Sequence, residues 1–175
     1  MKALIICENG LEECEALIVY DLLFRAGIDV TLAGPTPEIT SSHKLTFKIN
    51  EPIGLIDPSY YNCLILPGGM PGTKNLENNK DVNNIIDEFA KEKKLICAIC
   101  AAPSILINKG YLKDDEFTCY PGFEGDYRST NEKVHVYRNF VTANGLGSAV
   151  DFSLKIIEIL LGKGNADAIK NKIQY

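Results

Sequence analysis

The sequence has little of what several large classes of protein require. Its 175 residues include two histidines, and neither these nor the six cysteines fall at the spacings typical of a zinc site. The net charge is -5, so a basic surface for nucleic acid is not expected. No apolar run approaches the roughly 18 residues of a membrane-spanning helix. We therefore expect no metal, no nucleic-acid partner and no membrane association.

The amino-terminal residues do not resemble a secretion signal. The apolar run Ala3–Cys7 is short and is interrupted by Glu8, whereas a signal peptide needs a longer apolar segment and a cleavage site with small residues. A cytoplasmic location is therefore expected. In that compartment the six cysteines are predicted to be free thiols and not disulfides.

Apolar runs that alternate with helical patterns predict an α/β fold. The runs Ala3–Cys7, Cys63–Leu66 and Leu95–Ile99 show no alternation, which is typical of parallel strands covered on both faces. We expect one domain over residues 1–175, built as a three-layer sandwich with a flavodoxin-like parallel sheet. The other predicted elements are helices near 11–26, 82–90, 101–108, 148–161 and 166–173, strands at 28–33 and within 44–49, and a hairpin over 134–143.

Chemistry-bearing residues follow three of the predicted strands. The acidic segment Glu8–Glu15 follows the first strand, Pro67–Gly72 follows the strand 63–66, and Cys100 follows the strand 95–99. Ligands of open parallel sheets bind outside the carboxyl ends of the strands. If these three strands are neighbours, their loops line one crevice.

Cys100 is the candidate nucleophile. It stands between a strand and a predicted helix and is followed by Ala101 and Ala102, the arrangement of a nucleophile elbow. The start of the helix is expected to lower the pKa of the thiol. The alternative is an inert, buried cysteine at a strand end. A redox pair with Cys97 is disfavoured, because three strand residues span roughly 10 Å, beyond the roughly 7 Å that a disulfide tolerates.

Three glutamates and a histidine are candidate partners for the thiol. Glu12 and Glu13 suit the dipole at the start of a helix, whereas Glu15 faces another direction, from which its carboxyl can enter the crevice. A carboxyl buried beside a thiolate has a raised pKa and donates a hydrogen bond. No histidine adjoins Cys100, and a pairing with His43, in a polar loop, is left open.

Taken together, these residues resemble the ThiJ/PfpI superfamily, in the subgroup of the parkinsonism-associated protein deglycase and its bacterial ThiJ-like relatives. The resemblance covers essentially the whole chain, and it implies a class I glutamine amidotransferase-like architecture. The segments that carry it are Asn9–Ala16, Arg25–Ile28, Leu66–Gly69, Ala98–Pro103 and Asn144–Ala149.

The resemblance implies roles for individual residues. Cys100 matches the reactive cysteine, and Glu15 matches the protonated glutamate that is hydrogen-bonded to it. The backbone N–H groups of Gly69 and Ala101 match donors of an oxyanion site, and His43 falls among the polar groups near the substrate. The resemblance also implies a homodimer, and no cofactor is expected.

Two departures from the family pattern bear on function. Ala101 stands where PfpI-type proteases have a histidine, and Tyr120 lies in the segment where deglycase-like members carry one. We therefore expect a cysteine-dependent enzyme acting on small reactive carbonyls, with glutathione-independent glyoxalase or deglycase chemistry that converts methylglyoxal to lactate. The alternatives are a redox-sensing or chaperone-like protein that acts through oxidation of Cys100 and, with less support, a cysteine peptidase or amidase.

Overall fold

The computed structural model describes residues 1–175, and it contains nine strands and six helices. The strands are β1 Lys2–Ile6, β2 Asp29–Gly34, β3 Glu38–Thr40, β4 Thr46–Lys48, β5 Glu51–Pro52, β6 Cys63–Leu66, β7 Leu95–Ile99, β8 Val134–Tyr137 and β9 Phe140–Ala143. The helices are α1 Glu13–Arg25, α2 Gly72–Asn78, α3 Lys80–Lys91, α4 Pro103–Asn108, α5 Ala149–Leu161 and α6 Lys163–Lys172. No helix is both long and apolar enough to cross a membrane.

Seven strands form one sheet in the order β5-β2-β1-β6-β7-β9-β8. All neighbouring pairs run parallel except β8 and β9, which form the predicted hairpin. Strands β1, β6 and β7 are adjacent, so the three loops at their carboxyl ends meet as the sequence predicts. The mostly parallel sheet with helices on both faces confirms the three-layer, flavodoxin-like architecture.

Side chains alternate between two cores along the buried strands. In β1, Ala3 and Ile5 join a cluster with α1, α5 and α6, whereas Leu4 and Ile6 join a cluster with α3 and α4. Every residue of β6 and β7 is buried, because helices cover both faces of the sheet. Cys63 and Cys97 belong to the first core.

The differences from the predicted elements lie at helix starts and in short segments. Helices α1 and α4 begin two residues later than predicted, at Glu13 and Pro103, because the residues before them form the loops that carry the site. Helix α2, which the sequence did not predict, has no apolar stripe. Gly27 ends α1 as predicted, with the left-handed φ of 81° that glycine adopts without strain. The predicted strand within 44–49 is β4, which pairs antiparallel with β3.

Candidate active site

Cys100 stands on a sharp turn after β7. Its φ is 64°, a left-handed conformation that costs a non-glycine residue about 1–2 kcal/mol. Two backbone hydrogen bonds hold the turn: the Cys100 N–H donates to the Ala143 carbonyl at 2.9 Å, and the Cys100 carbonyl accepts from the Tyr120 N–H at 2.8 Å. The residue is half-buried, so part of it is accessible to a small molecule.

The Glu15 carboxyl lies against this thiol. Glu15 is in the first turn of α1 and only 1% exposed, and its carboxyl is close enough to Cys100 for each group to shift the pKa of the other. The Gly68 N–H donates to Glu15 Oε2 at 2.9 Å. The predicted facing of Glu15 into the crevice is therefore confirmed, whereas its role in chemistry stays a prediction.

Two consecutive glycines allow this approach. A Cβ on Gly68 would stand 2.7 Å from both the Cys100 Cβ and Glu15 Oε2. A Cβ on Gly69 would stand 2.2 Å from the Glu12 backbone nitrogen. The loop after β6 can carry no side chain at either position, so its backbone lies directly on the thiol and the carboxyl.

The backbone N–H groups of Gly69 and Ala101 lie near the Cys100 sulfur and lower the pKa of the thiol. They come from the ends of two neighbouring strands, β6 and β7. Such preorganised donors stabilise negative charge on the sulfur or on an oxygen bound beside it. The structure thus brings together four of the five predicted site residues: Cys100, Glu15, Gly69 and Ala101. The Gly68 N–H, which holds the carboxyl, was missed, although the sequence flagged its Pro-Gly-Gly loop.

The thiol and the carboxyl perturb each other. Burial raises the pKa of Glu15 to about 7, although hydrogen bonds with Cys100 and Gly68 oppose the rise. Burial, followed by the negative charge of Glu15, raises the pKa of Cys100 to about 12, and the Gly69 and Ala101 N–H groups lower it only in part. The prediction that the helix start lowers the thiol pKa is therefore wrong while Glu15 is ionised. The pair favours holding one proton between its two members.

The structure does not bring His43 to the thiol. Its Nδ1 lies 3.2 Å from Glu13 Oε2 and 3.5 Å from Glu12 Oε2, and it also contacts Ser42. A hydrogen bond with Glu13, followed by the negative charges of Glu13 and Glu12, raises the pKa of His43, because these carboxylates favour the protonated imidazole. No hydrogen bond joins it to Cys100, and its assignment to substrate binding stays a prediction. The same three side chains have ligand atoms close enough to share a divalent cation, although their ion pairs account for the arrangement.

Cys97 contributes packing and not redox chemistry. Its side chain is fully buried, and its Sγ lies 3.6 Å from that of Cys63 within the core. All six cysteines are free. The interpretation of Cys97 as a small core residue is confirmed.

The chain is similar to known proteins over most of its length. A family model described as the DJ-1/PfpI family matches residues 1–159. The Parkinson disease protein 7 homolog of Danio rerio is 33% identical over 97% of this chain and 94% of its own. The glutathione-independent glyoxalase DJR-1.2 of Caenorhabditis elegans is 30% identical, over 90% of this chain and 87% of its own.

Other relatives are longer than this chain. It spans about two fifths of the DJ-1 homologs A and B of Arabidopsis thaliana, at 30% and 31% identity. Among solved structures, an oxidized DJ-1 from Toxoplasma gondii superposes with a TM-score of 0.93 at 32% identity, covering 99% of this chain and 98% of that one. DJ-1beta of Drosophila melanogaster gives a TM-score of 0.93 at 29% identity, covering 99% and 97%.

Proposed function

Because this chain belongs to the DJ-1/PfpI family, we propose that it is a cysteine-dependent enzyme that converts small 2-oxoaldehydes such as methylglyoxal to 2-hydroxy acids without glutathione. The observation that carries the proposal is the contact between a half-buried thiol and a buried carboxyl, Cys100 and Glu15, with two N–H donors beside the sulfur. The glyoxalase relative from Caenorhabditis elegans supports it.

The proposed chemistry begins with the thiolate. The Cys100 sulfur attacks the aldehyde carbon, and the new oxyanion takes a proton to give a hemithioacetal. The N–H groups of Gly69 and Ala101 stabilise the oxygen while it is charged. Glu15, which has given its proton to that oxygen, is now a carboxylate positioned at the reacting carbons.

Glu15 then transfers a proton between the two carbons. The carboxylate removes the proton from the former aldehyde carbon and returns it to the neighbouring carbon, while the hydroxyl proton of the hemithioacetal moves to the former ketone oxygen. The product is a thioester of a 2-hydroxy acid with Cys100. Water hydrolyses this thioester, which releases the acid and restores the thiol. The sum is 2-oxoaldehyde plus water to 2-hydroxy acid, with no oxidant or reductant consumed.

The test is lactate formation from methylglyoxal by purified protein without glutathione. Cys100→Ser is expected to abolish it, and Glu15→Gln to reduce it at least a hundredfold, the size typical for a lost general acid–base group. Cys14→Ser, at the exposed cysteine one residue before Glu15, is the matched control and should retain activity. Lactate formation that survives Cys100→Ser contradicts the proposal. Release of free amine from a glycated peptide would instead indicate the deglycase form of the same chemistry.

A second candidate function is redox sensing. The T. gondii relative was solved in a form described as oxidized, and Cys100 is more open to solvent than all the other cysteines except Cys14. The thiolate would take an oxygen atom from peroxide, releasing hydroxide and leaving a sulfenic acid. Mass spectrometry after mild peroxide treatment tests this function, because it requires Cys100 to be modified before the other five cysteines.

Peptidase or amidase activity has less support. A cysteine peptidase needs a base beside its thiol, and no imidazole hydrogen-bonds with Cys100. Cleavage of a peptide library by the wild type and not by Cys100→Ser would revive this function.

We also propose a homodimer and a cytoplasmic location. An apolar groove of about 520 Å³ lies along α1 beside the site and includes Cys14, Leu17 and Val150, and Phe24 is 64% exposed on the same helix. Six free thiols suit a reducing compartment. Light scattering on the wild type and on Leu17→Glu tests the dimer, which the substitution should dissociate.

A further inference from the structure

Two charged clefts lie away from the candidate active site, and they differ in charge balance. The first, beside α5 and α6, has four lysines and four acidic residues among its lining, and three of the lysines are paired, Lys133, Lys155 and Lys163. The second, of about 780 Å³, is lined by the cations Lys91, Lys93 and Arg138 and one acidic residue, Asp87. Only the second has an excess of positive charge.

The acidic residue of the second cleft is already neutralised. Asp87 accepts a hydrogen bond from the Tyr111 hydroxyl at 2.6 Å and forms an ion pair with Lys109 at 2.9 Å. Lys91, Lys93 and Arg138 form no ion pair with any carboxylate. In a chain of net charge -5, three unpaired cations around one cleft form an attractive site for an anion.

Two of the three cations occupy unfavourable backbone conformations. Lys93 has φ 56° and Arg138 has φ 53°, in the left-handed region where glycine or asparagine is the usual residue. Lys93 directly follows the C-cap of α3, next to Lys91 in the last turn, and Arg138 lies in the two-residue turn between β8 and β9. Neither turn requires a cationic side chain, so the charges of Lys93 and Arg138 are available to a ligand.

Aromatic side chains and the side-chain amide of Asn139 form the remaining wall of the cleft. Tyr111 and Phe140 line the cleft and stack with ring centroids 6.0 Å apart. The Arg138 guanidinium lies 4.8 Å from the ring of Tyr137, which is outside the lining. Asn139 donates its amide to the Lys94 carbonyl at 2.8 Å, which leaves its carbonyl oxygen as an acceptor. The cavity is thus large enough for a ligand, and it offers aromatic side chains to a planar ring and separate cations to a multiply charged anion.

From these observations we propose that this cleft binds a nucleoside phosphate, with the phosphates at Lys91, Lys93 and Arg138 and the base against Tyr111. The cleft lies at the amino ends of β7 and β9, whereas Cys100 follows the carboxyl end of β7. Five strand residues separate the two edges, about 15 Å. The site is independent of the proposed carbonyl chemistry.

Calorimetry with ADP, without magnesium, tests the proposal against two fragments of the same molecule. ADP should bind and weaken with added salt, adenosine should not bind, and pyrophosphate should bind more weakly than ADP. Adenosine binding as tightly as ADP overturns the role of the cations. Pyrophosphate binding as tightly as ADP overturns the role of the aromatic wall, and no ADP binding at low salt overturns the site.

Variants separate loss of charge from loss of structure. Lys93→Gly and Arg138→Gly remove the charge and also the backbone strain, so each should raise Tm while weakening ADP binding at least tenfold, as expected for a lost charge-assisted contact. Lys44→Gly is the matched control, because Lys44 is also an exposed lysine with a left-handed φ, 71°, but lies outside the cleft. Equal loss of ADP binding in the control, or none in the cleft variants, overturns the proposal.

Discussion

Glu15→Gln tests whether the carboxyl and the Cys100 thiol share one proton. The two pKa values, about 7 and about 12, differ by five decades in proton affinity (12 minus 7), with Glu15 ionised when the thiol titrates. Two unit charges about 4 Å apart repel by about 4 kcal/mol at an effective dielectric constant of about 20, or about three decades. Protonating Glu15 removes this repulsion.

Protonated Glu15 also becomes a donor to the thiolate. A hydrogen bond to a charged group contributes about 1.5–3 kcal/mol, another one to two decades. These two values are upper limits, because the whole rise in the pKa of Cys100 is from 9.0 to about 12 and burial is its largest cause. The singly protonated pair is therefore mainly thiol and carboxylate, with thiolate and acid as its minor form. That minor form appears as the pH passes about 7, where the first proton of the pair leaves.

The assay is the rate of alkylation of Cys100 by iodoacetamide, followed by mass spectrometry from pH 5 to 10. In the wild type the rate should rise as the pH passes about 7 and then level off. In Glu15→Gln the side-chain amide is a weaker donor and does not exchange a proton with the thiol in the way a carboxyl does. The rise in the alkylation rate should therefore move to higher pH. At pH 7 the variant should react about tenfold more slowly.

Glu13→Gln is the matched control, because Glu13 lies on the same helical turn but faces His43. It should leave the alkylation profile unchanged. A Glu15→Gln profile that coincides with that of the wild type, or a variant that reacts faster at pH 7, refutes the shared proton. In the first case the thiol titrates alone, and in the second Glu15 acts only as a repelling charge.

Three further outcomes follow from the burial around the site. Burial raises the pKa of Glu15 from 4.5 to about 7, so stability that is present at low pH is lost as the pH rises between these values. Glu15→Gln should therefore increase the free energy of unfolding by about 3 kcal/mol at pH 8, which raises Tm, and should change it little at pH 5. Gly68→Ala should lose about 1–3 kcal/mol in urea denaturation, whereas Gly164→Ala, in open space within α6, should gain slightly. Native protein should alkylate at Cys14 and Cys100 before the four buried cysteines, and simultaneous labelling of all six would contradict the burial pattern.

The architecture is readable from the sequence because its signals are long and repeated. The continuous apolar runs of β1, β6 and β7 are stable only when both faces of the strand are buried. The apolar stripe of α3 is stable only when that one face of the helix is buried. Helix α2 has no such stripe: Leu76 is its buried large apolar residue. Its position is set by contacts of the preceding glycine loop, such as the Gly72 N–H donating to the Gly10 carbonyl at 3.1 Å, which no local pattern records.

The candidate site is only partly predictable, for a different reason. Helical geometry shows that Glu15 faces away from Glu12 and Glu13, but not that the Gly68 N–H will hold its carboxyl. His43 was weighed as a partner of the thiol because loops carry function. It lies instead between the two acids that were explained by the helix dipole. Pairing across a crevice depends on the three-dimensional approach of loops, and the sequence determines that approach only through the whole fold.

Two unfavourable features of this molecule lie side by side in the candidate active site. A left-handed cysteine costs about 1–2 kcal/mol, and keeping Glu15 buried costs about 3 kcal/mol once it ionises. Neither term is needed to fold the sheet, since glycine in place of Cys100 and glutamine in place of Glu15 would avoid them. These costs approach the whole stability of a marginal domain, and the two fully covered cores offset them. Local rules fail at Cys100 and Glu15 together, and that coincidence argues for a reactive pair more strongly than either residue alone.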